Sequence, residues 1–347
     1  MNTFFLDYRD PLFSIIVIFV LIFLVTFISY WWGRYKHKED DKELDRFLQN
    51  FRSLPSHKEL QLLISSGEIA QKSWLLLASS YNKSGDFEKS IEIYTELLKL
   101  PEVSKKEVMF LLGKTYFKAG FLERSKEIFL EILKHNPRTP QALHYLLLVY
   151  EYLRDYKSAL EVLEPLDLMQ EDIYKDAYYL RMLHTLNNFS LNVEQKHSQL
   201  IALYQESSIL SYLFFETLFR ENPKVAWQHF KEEDGAKIVD ILWRLDRKDL
   251  DLDIISKSNY LQELYSARGD LKKATQSDIF EFNILIHLNN KTDTTLNFEY
   301  ICNKCKHTSP FAFTRCGNCH TIDEQIVEFT LTKDYYRNFS EENNSFQ

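Results

Sequence analysis

Glycine and proline are scarce in this sequence, with eight of each in 347 residues. An all-β protein needs turn residues at many positions, so this scarcity argues against an all-β protein and favours long helices. A basic surplus is also missing, because 42 basic residues stand against 50 acidic ones and the net charge is −8. Phosphate contacts supply most of the affinity of nucleic-acid binders, so no nucleic-acid partner is predicted. The length suggests two or more structural units.

Signatures of common catalytic sites are missing as well. The sequence has no HExxH, no GxSxG and no glycine-rich nucleotide loop. Gly113-Lys114-Thr115 resembles the end of a P-loop, but Val108 stands where that motif requires its first glycine. The protein is therefore predicted not to be an enzyme.

One long apolar run, FSIIVIFVLIFLVTFISYWW, covers residues 13–32 without a charge. At ~1.5 Å per residue it spans roughly 30 Å, the thickness of a bilayer core, and predicts a transmembrane helix. A buried helix and a cleaved signal peptide are the alternatives, but no small-residue cleavage site follows the run. Arg34, Lys36 and Lys38 follow it, so the positive-inside rule places residues 33 onward in the cytoplasm of a single-pass membrane protein. A short segment at 1–12 and a juxtamembrane helical linker at 33–70 flank the helix.

Three segments downstream repeat one pattern, beginning at Trp74, Met109 and Leu143, which are 35 and 34 residues apart (109 − 74 and 143 − 109). Each segment begins with a large residue, has an aromatic residue seven positions later and ends at a turn position. The residue four positions after the large one is small in the first two segments. In order, these positions are Trp74, Ala78, Tyr81 and Gly85; Met109, Gly113, Tyr116 and Gly120; and Leu143, Leu147, Tyr150 and Arg154. This is the tetratricopeptide (TPR) pattern of paired helices, which must stack on neighbours to bury their apolar faces. It predicts three TPR repeats over 71–167. Degenerate TPR-like helices are predicted over 168–290, where the charge-dense stretch 231–253 is expected to form loops and solvated faces.

Stacked TPR pairs form a groove lined by the first helix of each repeat. By repeat position, the groove residues are Lys72, Leu75, Ser79, Asn82, Glu107, Phe110, Lys114, Phe117, Gln141, His144, Leu148 and Glu151. This mixed surface suits a protein segment or helix. Alternatively, the chain itself or its C-terminal module fills the groove. The sequence leaves a homodimer open.

All four cysteines lie in one stretch, CNKCKHTSPFAFTRCGNC, as two C-x-x-C pairs separated by ten residues. Segments of alternating apolar residues flank it, TLNFEYI before and QIVEFTLT after, which predicts a small β zinc-ribbon or rubredoxin-like module over 295–332. A polar tail is predicted at 333–347. Two C-x-x-C turns can complete a tetrahedral S₄ site. The predicted metal ligands are Cys302, Cys305, Cys316 and Cys319.

Four thiolates close the coordination sphere, so the predicted metal is structural and supplies folding free energy to a module too small to fold alone. Zinc is expected and iron is the alternative, because both accept S₄ geometry. The reducing cytoplasm disfavours disulfides, and a redox C-x-x-C needs a βαβ context that the sequence lacks. His307 and His320 are expected to lie at the surface or beside the ligands.

The predicted fold class is thus an all-α TPR solenoid with an N-terminal transmembrane helix and a small C-terminal β zinc ribbon. This combination, with the pattern Tyr300-x-Cys302-x-x-Cys305-x₁₀-Cys316-x-x-Cys319, resembles the LapB/YciM family (lipopolysaccharide assembly protein B). The resemblance implies an inner-membrane adaptor that promotes degradation of the LpxC deacetylase by the FtsH protease and so regulates lipopolysaccharide synthesis. The alternative is a TPR scaffold or assembly factor for another envelope protein complex. Lys306 and His320 depart from the family where ribbons often carry glycine, and Thr314-Arg315 replaces an aromatic residue.

Overall fold

The computed structural model describes residues 19–27, 57–66, 70–101, 104–288 and 293–333. The predicted membrane helix at 13–32 lies outside these residues except for 19–27, which form an exposed helical segment, α1. No helix in the described ranges is both long and apolar enough to cross a membrane. The predicted segment 1–12, most of the linker 33–70 and all of the tail beyond Lys333 also lie outside the described residues.

The chain divides into two compact units, residues 1–154 and 155–347. The helices of unit 1 after α1 are α2 (His57–Ser66), α3 (Gln71–Ser84), α4 (Phe87–Leu97), α5 (Lys105–Lys118), α6 (Leu122–His135) and α7 (Pro140–Tyr152). From α3 onward each helix packs on the next in sequence, and α5 also contacts α7. The first helices of successive repeats therefore lie side by side, as the 34-residue period predicts.

Small residues and turns act in unit 1 as the repeat pattern predicts. Gly85 ends α3 and Gly120 follows α5, both in the left-handed conformation, with φ of 84° and 79°. Arg154, the off-pattern turn residue of the third repeat, takes the same conformation with φ of 59°. A Cβ atom on Gly113 would lie 2.9 Å from Cζ of Phe129, so this position admits only glycine without a shift of its neighbour.

Unit 2 contains shorter helices and one sheet. Its elements are α8 (Tyr156–Leu168), α9 (Tyr174–Leu186), α10 (Val193–Glu206), α11 (Ser211–Glu221), α12 (Pro223–His229), α13 (Val239–Arg244), α14 (Leu252–Ile255), α15 (Asn259–Arg268), α16 (Phe280–Leu288), β1 (Thr294–Cys302), β2 (Thr308–Ser309) and β3 (Gln325–Lys333). The stretch predicted to hold degenerate helices is helical. Pro223 begins α12, and Gly269, with φ of 84°, ends α15.

The expectation of solvated faces over 231–253 is wrong for two of its acidic residues. Asp234 and Asp240 are buried, at 2% and 0% exposure. The hydroxyl of Tyr204 donates to Asp234 Oδ2 over 2.8 Å, and that of Tyr212 donates to Asp240 Oδ2 over 2.7 Å. Burial of a carboxylate is costly unless hydrogen bonds compensate, and these tyrosines provide them.

The sheet has the strand order β2-β1-β3, with β1 antiparallel to both neighbours. Alternate residues of β1 point inward, and Leu296, Phe298 and Tyr300 join the hydrophobic core formed by the helices of unit 2. The ring of Phe329 on β3 stacks on Phe282 of α16 with centroids 5.4 Å apart. The C-terminal module therefore shares one core with the preceding helices of unit 2.

Candidate metal centre and interaction surface

The four cysteines come together at the end of the sheet. Their Sγ atoms all lie within 4.8 Å of one another, and neither His307 nor His320 belongs to this group. Cys302 Sγ is 3.6 Å from Cys319 Sγ, and Cys305 Sγ is 3.6 Å from Cys316 Sγ. All four are free thiols, since these separations far exceed the ~2.05 Å of a disulfide.

This arrangement fits a tetrahedral metal ion. With metal–sulfur distances of about 2.3 Å, a tetrahedron has sulfur–sulfur edges of about 3.8 Å. Two of the observed edges, at 3.6 Å, match this value. Residues Cys302, Cys305, Cys316 and Cys319 could therefore hold a metal ion such as zinc.

Two knuckles with the same backbone geometry carry the ligands. In the first, the N–H of Cys302 donates to the His307 carbonyl over 2.9 Å, and the N–H of Lys306 donates to the Cys302 carbonyl over 2.8 Å. The second knuckle repeats both bonds fourteen residues later (316 − 302): the Cys316 N–H donates to the Thr321 carbonyl, and the His320 N–H donates to the Cys316 carbonyl, each over 2.9 Å.

Each knuckle turns through a residue with positive φ. Lys306 has φ of 58° and His320 has φ of 60°. These are the two positions where the sequence departs from the glycine of many ribbons. A side chain in the left-handed region costs roughly 1–2 kcal/mol, so both knuckles carry backbone strain that glycine would relieve.

Backbone and hydroxyl donors around the sulfurs favour thiolates at three of the four positions. The His307 N–H bonds to Cys305 and is the main reason that the pKa of this thiol is lowered. At Cys302 and Cys319 burial raises the pKa, but N–H groups and the Thr321 hydroxyl outweigh it, so the pKa of each is lowered. At Cys316 burial dominates and raises the pKa to about 12. Binding of a metal cation, which requires thiolates, would remove the proton of Cys316.

Arg315 connects the second knuckle to α9. Its Nη1 donates to the His320 carbonyl over 2.9 Å, and its Nη2 donates to Asp176 Oδ1 over 2.8 Å. Its guanidinium lies 5.3 Å from the ring centroid of Tyr179. Only 7% of the Arg315 side chain is exposed. These contacts therefore fix the position of the second knuckle against α9.

A second ionic contact lies beside the first. Lys175 Nζ donates to Glu324 Oε1 over 2.8 Å and to the Ile322 carbonyl over 3.2 Å. The bond from Lys175 is the main reason that the pKa of Glu324 is lowered. Asp176 thus binds the residue before the second knuckle, and Lys175 binds residues that follow it.

Tyr300, two residues before the first ligand, is bonded deep in the helical core. Its hydroxyl donates to Asp240 Oδ2 over 2.6 Å, and the same oxygen accepts the Tyr212 hydroxyl. Burial, and then the bond to Asp240, raise the pKa of Tyr300 to about 12. One buried carboxylate therefore joins β1 to α11 and α13.

The predicted groove residues lie on α3, α5 and α7, and all except Leu148, which is 5% exposed, keep part of their surface accessible. Asn82 on α3 donates to Thr115 Oγ1 on α5 over 2.7 Å, which joins the first helices of two repeats. Leu148 cannot face a ligand in this arrangement because its side chain belongs to the core.

Aromatic rings join α5 to α7 on this surface. The ring of Tyr145 lies 5.6 Å from Phe110 and 5.9 Å from Phe117, both edge-on, and Phe117 also meets Tyr152 at 5.3 Å. Lys114 Nζ lies 5.4 Å above the Tyr145 ring and forms no ion pair with the described residues. The surface therefore presents a cation held against aromatic rings.

Comparison with known protein families identifies one of the helical pairs. The family model "Tetratricopeptide repeat" matches residues 71–103, which contain α3 and α4. This pair is a tetratricopeptide repeat. No curated protein matches the chain.

The solved structures that match this chain share little sequence with it and have low TM-scores. MamA from Desulfovibrio magneticus RS-1 is 19% identical over 49% of this chain and 93% of its own, with a TM-score of 0.38. A tetratricopeptide repeat protein from Parabacteroides merdae is 13% identical over 73% of this chain and 98% of its own, with a TM-score of 0.37. BtubC from P. vanneervenii is 15% identical over 74% and 88%, with a TM-score of 0.27.

Sequence reasoning missed Arg315 and Asp240. By sequence, Arg315 only replaces an aromatic residue of the family pattern, and Asp240 lies in a stretch expected to be solvated. The available signal for Arg315 was its place directly before a ligand, where an arginine can bond to knuckle carbonyls. The hydrogen-bond partners of Asp240 lie 28 and 60 residues away, so no local signal predicted its burial.

Proposed function

We propose that the protein is a non-catalytic adaptor, anchored in the bacterial inner membrane by residues 13–32, that holds a protein partner in the cytoplasm. The observation that carries this proposal is the accessible surface on α3, α5 and α7, formed by the first helices of a TPR array. TPR proteins bind other proteins through this surface, and nothing in the described site supports catalysis.

The chemistry of the surface favours a protein segment as the partner. Phe110 and Phe117 offer apolar ring surface, Asn82 offers amide groups, and Lys114 offers a cation without a carboxylate among the described residues. An extended or helical segment with an acidic residue between apolar ones matches this pattern. A small metabolite would need a more enclosed pocket.

The four-cysteine module has a structural role in this proposal. A zinc ion on four thiolates leaves no open coordination position. The metal would hold β1 and the two knuckles together, and these in turn complete the core of unit 2 through Tyr300. Iron remains the alternative ion.

The finer proposal, supported by the resemblance to the LapB/YciM family, is that the partners are the FtsH protease and its substrate LpxC. Depleting the protein should then raise LpxC abundance and lipopolysaccharide. Unchanged LpxC would refute this pair of partners and favour a scaffold for another envelope complex.

The groove is tested by complementation of the depleted strain. Lys114→Glu should fail to restore LpxC turnover, because it reverses the charge on the proposed binding surface. Lys134→Glu, an exposed position on the second helix of the same repeat, is the matched control and should complement. Full complementation by Lys114→Glu would show that the partner binds elsewhere.

A further inference from the structure

The outer edge of β3 has no hydrogen-bond partner among the described residues. The ladder between β1 and β3 continues into the bond from Asn303 N–H to the Glu324 carbonyl, over 2.7 Å. Since bonded residues alternate along an antiparallel pair, the N–H and C=O groups of odd-numbered β3 residues point away from β1. These residues are Gln325, Val327, Phe329, Leu331 and Lys333.

This edge lacks three of the features that usually protect an edge strand, namely short length, proline and inward charge. β3 is nine residues long, contains no proline, and pairs with β1 in unbroken register. Its inward side chains, Val327, Phe329 and Leu331, are all apolar. The opposite edge of the sheet is protected, because β2 has only two residues and Pro310 follows it. Edges that are long, regular and without inward charge pair readily with another strand.

We propose that β3 pairs with β3 of a second copy of this chain, antiparallel about a twofold axis at Phe329. This register engages all nine residues of each strand. It places Glu328 opposite Thr330 of the second copy, and Gln325 opposite Lys333 of the second copy, so no like charges face each other. The result is a continuous six-stranded sheet with an isologous interface.

Neighbouring registers fit less well. A shift of two residues in one direction pairs only seven residues of each strand, 327–333, within β3. A shift of two residues in the other direction places Glu328 opposite Glu328 of the second copy, which is a repulsive pair. The same shift extends the pairing past Glu324 to the turn at Asp323, where φ is 57°. The register centred on Phe329 is therefore the one that pairs all nine residues of both strands without facing like charges, and this full-length match is the reason to propose a second copy as the partner.

The test uses the full chain in detergent, with sedimentation measured over a range of protein concentration. Wild-type protein should dimerise, and amide hydrogens over 325–333 should become more protected as concentration rises. Thr330→Glu places a carboxylate opposite Glu328 twice in the dimer, and should weaken association by about 2- to 30-fold. The double variant Glu328→Lys/Thr330→Glu creates opposite charges at both places and should restore the dimer.

Asn297→Glu is the matched control. Asn297 pairs with Thr330 inside the sheet and is exposed on the same face, but lies one strand away from the proposed seam. It should leave association unchanged. A protein that stays monomeric at every concentration would overturn the proposal, as would equal effects of Thr330→Glu and Asn297→Glu. The proposal would also be overturned if the exchange protection of the β3 amide hydrogens did not depend on protein concentration, or if it appeared only after a different protein was added.

Discussion

Replacing Tyr300 by phenylalanine removes one of the two hydroxyls that bond to the buried carboxylate of Asp240. The ring stays in the core, and the Tyr212 hydroxyl still donates to the same oxygen over 2.7 Å. Tyr300→Phe and Tyr212→Phe are therefore each a loss of one hydrogen bond to a charged acceptor. The double variant differs in kind, because it leaves a carboxylate at 0% exposure with neither tyrosine donor.

The expected magnitudes follow from the acceptor. A hydrogen bond to a charged group contributes about 1.5–3 kcal/mol, so each single variant should lower the free energy of opening of this unit by that amount. The double variant should cost more than the sum of the two, with a coupling of about 0.5–3 kcal/mol, because the buried charge then has lost both hydrogen bonds and keeps the 3.9 Å ion pair with Arg244 Nη1.

Native-state amide exchange of peptides from β1 measures this free energy locally. A loss of 1.5–3 kcal/mol corresponds to exchange about 10- to 150-fold faster. Tyr260→Phe is the matched control, since the Tyr260 hydroxyl makes no hydrogen bond in the described structure although its ring packs on Phe282. If Tyr300→Phe and Tyr260→Phe had equal effects, the buried carboxylate would not join β1 to the helices as argued.

Three further sets of variants and one pH titration test other parts of the structure. Because Tyr300 is protonated up to a pKa of about 12 in the fold but ionises near 10 when unfolded, stability should fall between about pH 10 and 12, and alkaline thermal melts measure this. Lys306→Gly and His320→Gly should each raise the free energy of unfolding, measured by chemical denaturation, by about 0.5–1 kcal/mol, because glycine relieves the strain of the left-handed conformation. A lower free energy of unfolding would refute the strain argument. Gly113→Ala should lower the free energy of unfolding by about 1–3 kcal/mol, because the added methyl group overpacks its surroundings. Elemental analysis should find one metal ion per chain, and Cys302→Ser should lose it together with several degrees of melting temperature; retention of both would refute the S₄ site.

Local patterns predicted the parts of this fold that depend on short stretches of chain. Gly85 and Gly120 predicted two turns because only glycine adopts their conformation without cost. The spacing of Cys302, Cys305 and their partners predicted the thiol cluster, since each pair needs only a four-residue turn. Alternation of apolar residues predicted the strands on both sides.

Contacts between distant segments could not be predicted in the same way. Arg315 bonds to Asp176, 139 residues earlier in the chain, and no single sequence specifies that pairing. Leu148 was placed in the groove by repeat position, yet it is buried. The membrane helix, the client protein and the metal remain predictions, because the described residues do not test them.

The matching bonds of the two knuckles have a consequence for metal exchange. Each knuckle closes on itself through two backbone hydrogen bonds, so each would act as a bidentate chelator. A bound ion could therefore be released by one chelating arm while the other holds it, and the free arm, tethered through ten residues, would rebind at high effective concentration. A metal bound at this site would be open, one arm at a time, to a competing thiol chelator.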